Sequence, residues 1–167
     1  MIAIDVLKKI EGFQGLTSGQ LSSLHSLCEE LTFRKDAKLF TEGDLATHLW
    51  FVLEGQVDLR FEMPVRRATD SEQTVTTVQV KRQDSAAKTL GWSCFVPPFK
   101  MRLSAYCVSD TCRIVRVPRE SLVLLFEKDP VMGYKFMAYM VIVVGYRFQQ
   151  FQDVVAKIMG DNLMSGW

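Results

Sequence analysis

The sequence has no excess of charge of either sign and few residues of the kinds that bind metals. Its 20 Lys and Arg residues nearly balance 19 Asp and Glu residues, which leaves a net charge of +1. Binding to nucleic acid through phosphate contacts usually needs a basic surface, so the composition predicts no direct nucleic-acid partner. The two histidines, His25 and His48, are isolated, whereas metal-dependent oxygenases and isomerases of barrel folds need two or three histidines and a carboxylate. We therefore expect no metal site and no enzyme.

The sequence also lacks paired cysteines and a secretory signal. None of its four cysteines, Cys28, Cys94, Cys107 and Cys112, forms a C-x-x-C motif. Their apolar neighbours predict buried free thiols in a reducing cytoplasm. The first ten residues alternate between apolar and charged side chains and contain no long apolar core, so they do not resemble a signal peptide.

Long hydrophobic runs are absent as well. The longest candidate, Phe136–Tyr146, has eleven uncharged residues between Lys135 and Arg147. A membrane-spanning helix needs roughly 17–25 residues. We expect a buried helix here and no membrane partner.

The N-terminal residues 1–31 have a helical pattern. Thr17 and Gln20 fit a capping box, with Thr17 as the N-cap. Leucines at three- and four-residue spacing follow, and an earlier set of apolar residues predicts a shorter helix packed on this one. The first set is Leu21, Leu24, Leu27 and Leu31, and the second is Leu7, Ile10, Phe13 and Leu16.

From Phe33 to about Pro118 the apolar residues follow a period of two, which is typical of strands. The alternating sets are Val57, Leu59 and Phe61, and then Thr76, Val78 and Val80, while Leu49–Leu53 is a continuous apolar run. Short strands separated by turn residues predict a β-barrel or jelly roll. The polar residues 64–73 are expected to form a mobile hairpin loop.

Helices are predicted again after Pro118. A short helix over residues 121–126 stops before Asp129, which is placed to cap a second helix with Pro130 at its first position. That helix can run to Gly160, roughly 45 Å at about 1.5 Å per residue. The predicted fold is α+β, mainly β: a double-stranded β-helix or jelly-roll barrel with N-terminal helices (1–128), a C-terminal lid or dimerisation helix (129–160) and a tail (161–167).

One stripe on the long helix keeps strict heptad spacing. Such a narrow seam is typical of a helix that pairs with a partner helix, so it predicts a homodimer. Phe136, Tyr139 and Met140 lie off this seam and are expected to cover the barrel at the same time. Packing wholly within one subunit is the alternative. The seam consists of Met137, Val141, Val144, Phe148, Phe151, Val155 and Ile158.

Residues 90–105 have the order of parts of a small anion site. Gly91 opens a turn of helix, two prolines stop it, and Lys100 and Arg102 follow on a predicted strand. A helix start offers unpaired backbone N–H groups, and a facing cation would close the site.

Three segments resemble the cyclic nucleotide-binding domain family, which includes catabolite activator protein and the regulatory subunits of cAMP-dependent kinase. They are Lys38–Asp44 with Gly55–Leu59, Gly91 with the following half-turn, and Thr111–Leu122. The resemblance implies that the barrel holds a cyclic nucleotide and that Gly91 begins the phosphate-binding cassette. It also implies that the long helix moves or dimerises in response.

The chain departs from the family at two diagnostic positions. Trp92 stands where the family has a glutamate for the ribose, and an indole cannot accept a hydrogen bond. Met101 aligns with the arginine that binds phosphate, a contact that contributes about 1.5–3 kcal/mol. Lys100 and Arg102, one residue away on a strand, would face the opposite side unless a bulge re-aims them. These differences predict an altered ligand preference.

Two functions follow as hypotheses. In the first, the protein senses a cyclic nucleotide or a related small anion, with no other cofactor. The backbone N–H groups of Gly91, Ser93 and Cys94 and the side chains of Trp92 and Ser104 would contact this ligand. In the second, the protein is a ligand-free homodimerising module that recruits an effector protein, and side chains fill its pocket. Trp92 fits either hypothesis, as a ligand contact or as a plug in the ribose space.

Overall fold

Eight strands form two four-stranded antiparallel sheets in the computed structural model, which describes residues 2–62, 74–79 and 85–164. The strand order is β1-β8-β3-β6 in one sheet and β2-β7-β4-β5 in the other. This confirms the predicted jelly-roll barrel with flanking helices. The strands are β1 (Glu29–Arg34), β2 (Lys38–Phe40), β3 (His48–Glu54), β4 (Gln56–Arg60), β5 (Thr74–Gln79), β6 (Thr89–Leu90), β7 (Ser104–Cys107) and β8 (Thr111–Pro118).

Helices flank the barrel at both ends of the chain. The α-helices are α1 (Ile4–Leu7), α2 (Ser18–His25), α3 (Arg119–Lys128) and α4 (Pro130–Met164), and the 3₁₀ helices are Glu11–Phe13, Ser85–Lys88 and Trp92–Phe95. The predicted capping box at the start of α2 is confirmed. The Thr17 hydroxyl accepts a hydrogen bond from the Gln20 N–H at 3.3 Å, and the Gln20 side chain accepts one from the Thr17 N–H at 2.9 Å.

The prediction of helix over residues 1–31 is wrong at its C-terminal end. Helix α2 stops at His25, and strand β1 begins at Glu29. Leu31, predicted on a helix face, pairs with Ile114 of β8. The reason is tertiary, because the backbone of β8 offers hydrogen-bond partners to this segment, and such pairing outweighs a weak local preference.

The start of the long helix is confirmed. The Asp129 carboxylate accepts a hydrogen bond from the Met132 N–H at 3.0 Å and another from the Gln20 side chain at 2.6 Å. Pro130 is the first residue of α4, which continues to Met164, past its predicted end at Gly160. The 35 residues of this helix span about 52 Å at about 1.5 Å per residue.

One face of α4 packs against the rest of the molecule. Phe136 is fully buried, and its ring lies 5.9 Å from that of Phe13 and 5.0 Å from that of Phe126, measured between centroids. The other buried residues of this face are Met132, Tyr139, Met140 and Val143. Phe136, Tyr139 and Met140, which the sequence placed off the seam, are all buried, and Tyr139 contacts Thr89 of β6.

The heptad seam of α4 lies outside this buried face. Val141 is 71% exposed. Met137, Phe148, Phe151, Val155 and Ile158 are also exposed, and Val144 is half-buried. Packing within the subunit therefore leaves most of the seam uncovered.

The remaining sequence predictions concern membrane spans and a loop. Among the helices of the described residues, none has the length and apolar character needed to cross a membrane. The predicted hairpin loop at 64–73 and Val80 lie outside the described residues.

Candidate ligand-binding site

A cavity of about 710 Å³ lies between the barrel and α4. Four parts of the chain line it: the end of β2 with the loop after it, the end of β4 at Leu59 with Phe61 just after it, the segment from Leu90 to Leu103, and one side of α4 from Val144 to Phe151. Most of the lining is apolar, namely Phe40, Leu59, Phe61, Leu90, Trp92, Pro98, Met101, Leu103, Val144, Phe148 and Phe151. The polar side chains are Glu42, Ser93, Lys100, Arg102, Arg147 and Gln150.

Gly91 makes the turn that starts the cassette. Its φ of +76° lies in the left-handed region that favours glycine. A Cβ at this position would lie 2.8 Å from the His48 carbonyl oxygen and 3.0 Å from Trp50 Cδ1. Because no other residue fits this space, Gly91 sets the direction of the 3₁₀ helix Trp92–Phe95, which the sequence predicted as a short turn of helix.

Backbone hydrogen bonds hold Met101 in the cavity wall. Its carbonyl accepts from the Gly43 N–H at 2.9 Å, and its N–H donates to the Asp44 carbonyl at 2.8 Å. The Met101 side chain is buried, and its sulfur accepts a weak hydrogen bond from the Ser93 hydroxyl at 3.8 Å. A thioether therefore stands where the resemblance implies an arginine.

The expectation that Lys100 and Arg102 lie on a strand, facing away from the site, is wrong. Strand β7 begins only at Ser104, and Lys100 forms an isolated bridge with Leu45. Because the chain bends between these points, strand alternation does not apply, and both side chains line the cavity without a bulge. Both are exposed, and neither forms an ion pair with any residue that the structure describes.

The other predicted contacts divide into two groups. Trp92 and Ser93 line the cavity, Trp92 as a half-buried side chain. Cys94 and Ser104 do not belong to the lining. Cys94 is fully buried, and its burial raises the pKa of the thiol to about 12. The buried Ser104 hydroxyl accepts a hydrogen bond from the Glu42 N–H at 2.8 Å, so it supports the loop that lines the cavity.

Arg147 of α4 is a cavity residue that the sequence interpretation missed. Its Nη2 donates to the carbonyl oxygens of Ala87 at 2.6 Å and Thr89 at 3.2 Å, and its Nη1 donates to Gln150 Oε1 at 2.9 Å. Burial lowers the pKa of Arg147 to about 10, so the guanidinium stays charged at neutral pH. A single arginine inside an otherwise apolar stretch of the helix was the available signal.

Three residues of the heptad seam also line the cavity. Val144, Phe148 and Phe151 border it on the α4 side, whereas Met137, Val141, Val155 and Ile158 do not. Occupation of the cavity and the packing of the seam therefore involve the same turns of α4.

The side chains that could act as metal ligands do not form a metal site in the described residues. Over residues 2–62, 74–79 and 85–164, no group of three or more His, Cys, Asp or Glu side chains is placed to hold an ion. The cysteines in this part of the chain are free thiols.

Comparison with solved structures identifies the fold. A candidate cyclic nucleotide-binding protein of Geobacter metallireducens matches with a TM-score of 0.71 and 24% identity, over 89% of this chain and 99% of that one. A cyclic nucleotide-binding domain of Methylobacillus flagellatus matches with a TM-score of 0.71 and 20% identity, over 92% of this chain and 81% of that one. The chain has the fold of a cyclic nucleotide-binding domain.

A third match shows that this fold occurs in a regulator that responds to another nucleotide. The c-di-GMP-responsive global regulator CLP of Xanthomonas campestris matches this domain with a TM-score of 0.66 and 12% identity, over 86% of this chain and 65% of that one. No protein-family model and no curated protein sequence matches the chain.

Proposed function

We propose that this domain is a non-enzymatic sensor whose cavity binds a small anionic ligand, a cyclic nucleotide or a related molecule. The observation that carries the proposal is the cavity of about 710 Å³ beside the cassette turn. Among the residues that the structure describes, its lining has three cations and one carboxylate, a charge balance that favours an anionic ligand. The volume lies within the roughly 300–1,000 Å³ typical of small-molecule sites.

The ligand preference differs from that of a typical cAMP site in this proposal. Trp92 offers a ring for stacking and one N–H donor, but it cannot accept the bonds of a ribose hydroxyl. Met101 supplies no positive charge, and the cations of the cavity stand at other positions, Lys100, Arg102 and Arg147. Gly91 and Ser93 remain in the wall as candidate contacts.

Binding would act through α4. Val144, Phe148 and Phe151 line the cavity and also belong to the exposed heptad seam. We expect the domain to form a homodimer through this seam and to present the dimer to an effector protein. A ligand that contacts these residues would change how the seam packs.

The alternative function is a ligand-free dimerising module, and the exposed seam supports it equally well. That hypothesis expects side chains to fill the pocket, with Trp92 as a plug. Trp92 instead lines an open cavity, which favours the sensor.

Titration calorimetry tests the proposal with cAMP, cGMP and cyclic di-GMP on the full chain. The sensor predicts saturable heat for at least one of these and a higher midpoint of thermal unfolding in its presence, because a ligand that binds only the native state stabilises it. A Phe148→Ala, Phe151→Ala variant, which removes two aromatic walls, should bind more weakly. No heat and no thermal shift at millimolar concentration of all three compounds would contradict the proposal and favour the ligand-free module.

A further inference from the structure

Arg147 carries the most deeply placed positive charge of the cavity, on the helix rather than on the barrel. We propose that this guanidinium, and not Lys100 or Arg102, holds the charged group of the ligand, and that the ligand is an amphipathic aromatic anion. The inference rests on the proposed function in one respect, namely that the cavity holds a small molecule.

The three cations differ in their surroundings. Lys100 and Arg102 are exposed, so water and salt screen their interaction with an anion. Arg147 is packed between α4 and the segment Ala87–Thr89, which is itself largely buried. An anion that contacts Arg147 would therefore interact with it in a less polar medium, where the attraction is stronger.

The hydrogen bonds of Arg147 leave its charge without a counter-ion. A guanidinium has five N–H donors. The Nη atoms donate to two backbone carbonyls and one amide oxygen, all of them neutral, and the buried Nε has no hydrogen-bond partner in the described part of the chain. No carboxylate there pairs with Arg147. A buried charge that lacks a counter-ion is costly, so an anionic group in the cavity would stabilise this arrangement.

The rest of the lining indicates what the body of the ligand is like. Aromatic side chains come from the barrel, from the cassette and from α4. The single carboxylate among the described lining residues, Glu42, already accepts a hydrogen bond from the Glu62 N–H at 2.7 Å. Rings of this kind favour a planar apolar body. The chemical class is thus an aromatic carboxylate, sulfonate or phosphate.

The position of Arg147 in the chain also has a consequence for signalling. It lies between Val144 and Phe148, two residues that both line the cavity and belong to the seam. An anion held by Arg147 is bonded directly to the helix that carries the seam. A change in the cavity therefore needs no relay through the barrel to reach α4.

The test uses two dyes of nearly the same shape, anilinonaphthalene sulfonate and the uncharged N-phenylnaphthylamine, titrated by fluorescence. We expect one saturable sulfonate site per chain in the wild type. Arg147→Met should raise the dissociation constant of the sulfonate at least about tenfold, because a charge-assisted contact is lost. The same substitution should change the affinity for the uncharged dye by less than about threefold.

Lys100→Met and Arg102→Met are the matched controls, since both remove a cation from the same cavity. Each should weaken sulfonate binding by about threefold or less, and added salt should reduce that effect. If either control costs more affinity than Arg147→Met, or if the wild type has no saturable sulfonate site, the inference is wrong. Circular dichroism and thermal melting of each variant show whether it is folded.

Arg147→Lys covers the case in which Arg147→Met does not fold. A lysine keeps the charge as a point charge and loses the planar fork, so sulfonate affinity should fall to an intermediate value. Wild-type affinity in this variant would contradict the role of the guanidinium. This inference and the proposed function can fail separately. If cyclic nucleotides bind Arg147→Met with wild-type affinity, the proposed function is supported and this inference is wrong. If none of the three cyclic nucleotides binds, the dye affinities of the variants still test the role of Arg147.

Discussion

The hydroxyl groups of Thr89 and Tyr139 lie 2.7 Å apart in the interior and join strand β6 to helix α4. Arg147, two turns further along α4, bonds to the carbonyl oxygens of Ala87 and Thr89. The segment just before the cassette is thus held to the long helix at two points. Because Gly91 lies only two residues after Thr89, the position of α4 and the shape of the cavity are coupled.

Loss of the Thr89–Tyr139 hydrogen bond should destabilise the domain. Tyr139→Phe leaves the buried Thr89 hydroxyl without this partner, so we expect the free energy of unfolding in urea to fall by about 1–2 kcal/mol. Thr89→Val is the matched variant, because it removes the other hydroxyl group of the same hydrogen bond. In the double mutant the two losses should not add, and fully additive losses would show that the hydroxyl groups do not interact in solution.

Gly91→Ala should disrupt the cassette turn. An alanine there has to adopt a φ of +76° and meets the His48 carbonyl oxygen at 2.8 Å. We expect a loss of at least about 2 kcal/mol in the free energy of unfolding. Gly19→Ala is the control, because Gly19 lies in α2 with no atom within 4 Å of its added Cβ, and it should be neutral or slightly stabilising. Equal effects of the two variants would contradict the strain argument.

Restoring the two side chains implied by the resemblance should raise the affinity for cAMP. Trp92→Glu together with Met101→Arg supplies a ribose acceptor and a phosphate cation in the cavity wall. Each contact contributes about 1.5–3 kcal/mol, so calorimetry should show a gain of at least about tenfold over the wild type. Trp92→Glu alone is the control and should gain less. An unchanged affinity in the double variant would mean that these positions do not face the ligand.

The oligomeric state depends on the seam in our proposal. Val141 is 71% exposed and lies outside the cavity lining, so Val141→Asp should produce monomers in analytical ultracentrifugation without altering the site. Ile142, the next residue, is 58% exposed but off the seam, and Ile142→Asp should remain dimeric. A dimeric Val141→Asp protein would place the interface elsewhere.

Stability at acidic pH should depend on Glu62. Hydrogen bonds from Ser104, Tyr106 and Lys38 hold the pKa of this carboxyl at about 2 in the folded protein, compared with an ordinary value of 4.5. A lowered folded-state pKa adds stability above the unfolded pKa, and this stability is lost as the pH falls from about 4.5 towards 2. Glu62→Gln should therefore flatten the pH dependence of unfolding in this window. If Glu62→Gln keeps the wild-type pH dependence of unfolding in this window, the hydrogen bonds to Glu62 do not stabilise the fold as proposed.

Local patterns in the sequence predicted most of the secondary structure. The capping residues Thr17 and Asp129 start α2 and α4 because a side-chain oxygen satisfies N–H groups close by in sequence. The apolar run Leu49–Leu53 predicted a covered strand because burial depends on side-chain chemistry, and four of its five residues are buried. These features need only neighbouring residues, so sequence alone determined them.

Tertiary contacts decided the features that involve distant segments. Leu31 lies on a strand because β8, about eighty residues later, pairs with it. Lys100 and Arg102 both reach the cavity because the chain bends before β7, and hydrogen bonds to Gly43 and Asp44 hold that bend at Met101. Arg147 joins the cavity only because α4 folds back over the segment Ala87–Thr89. The periodicity of a single segment cannot predict these contacts, since they depend on how separate elements pack against each other.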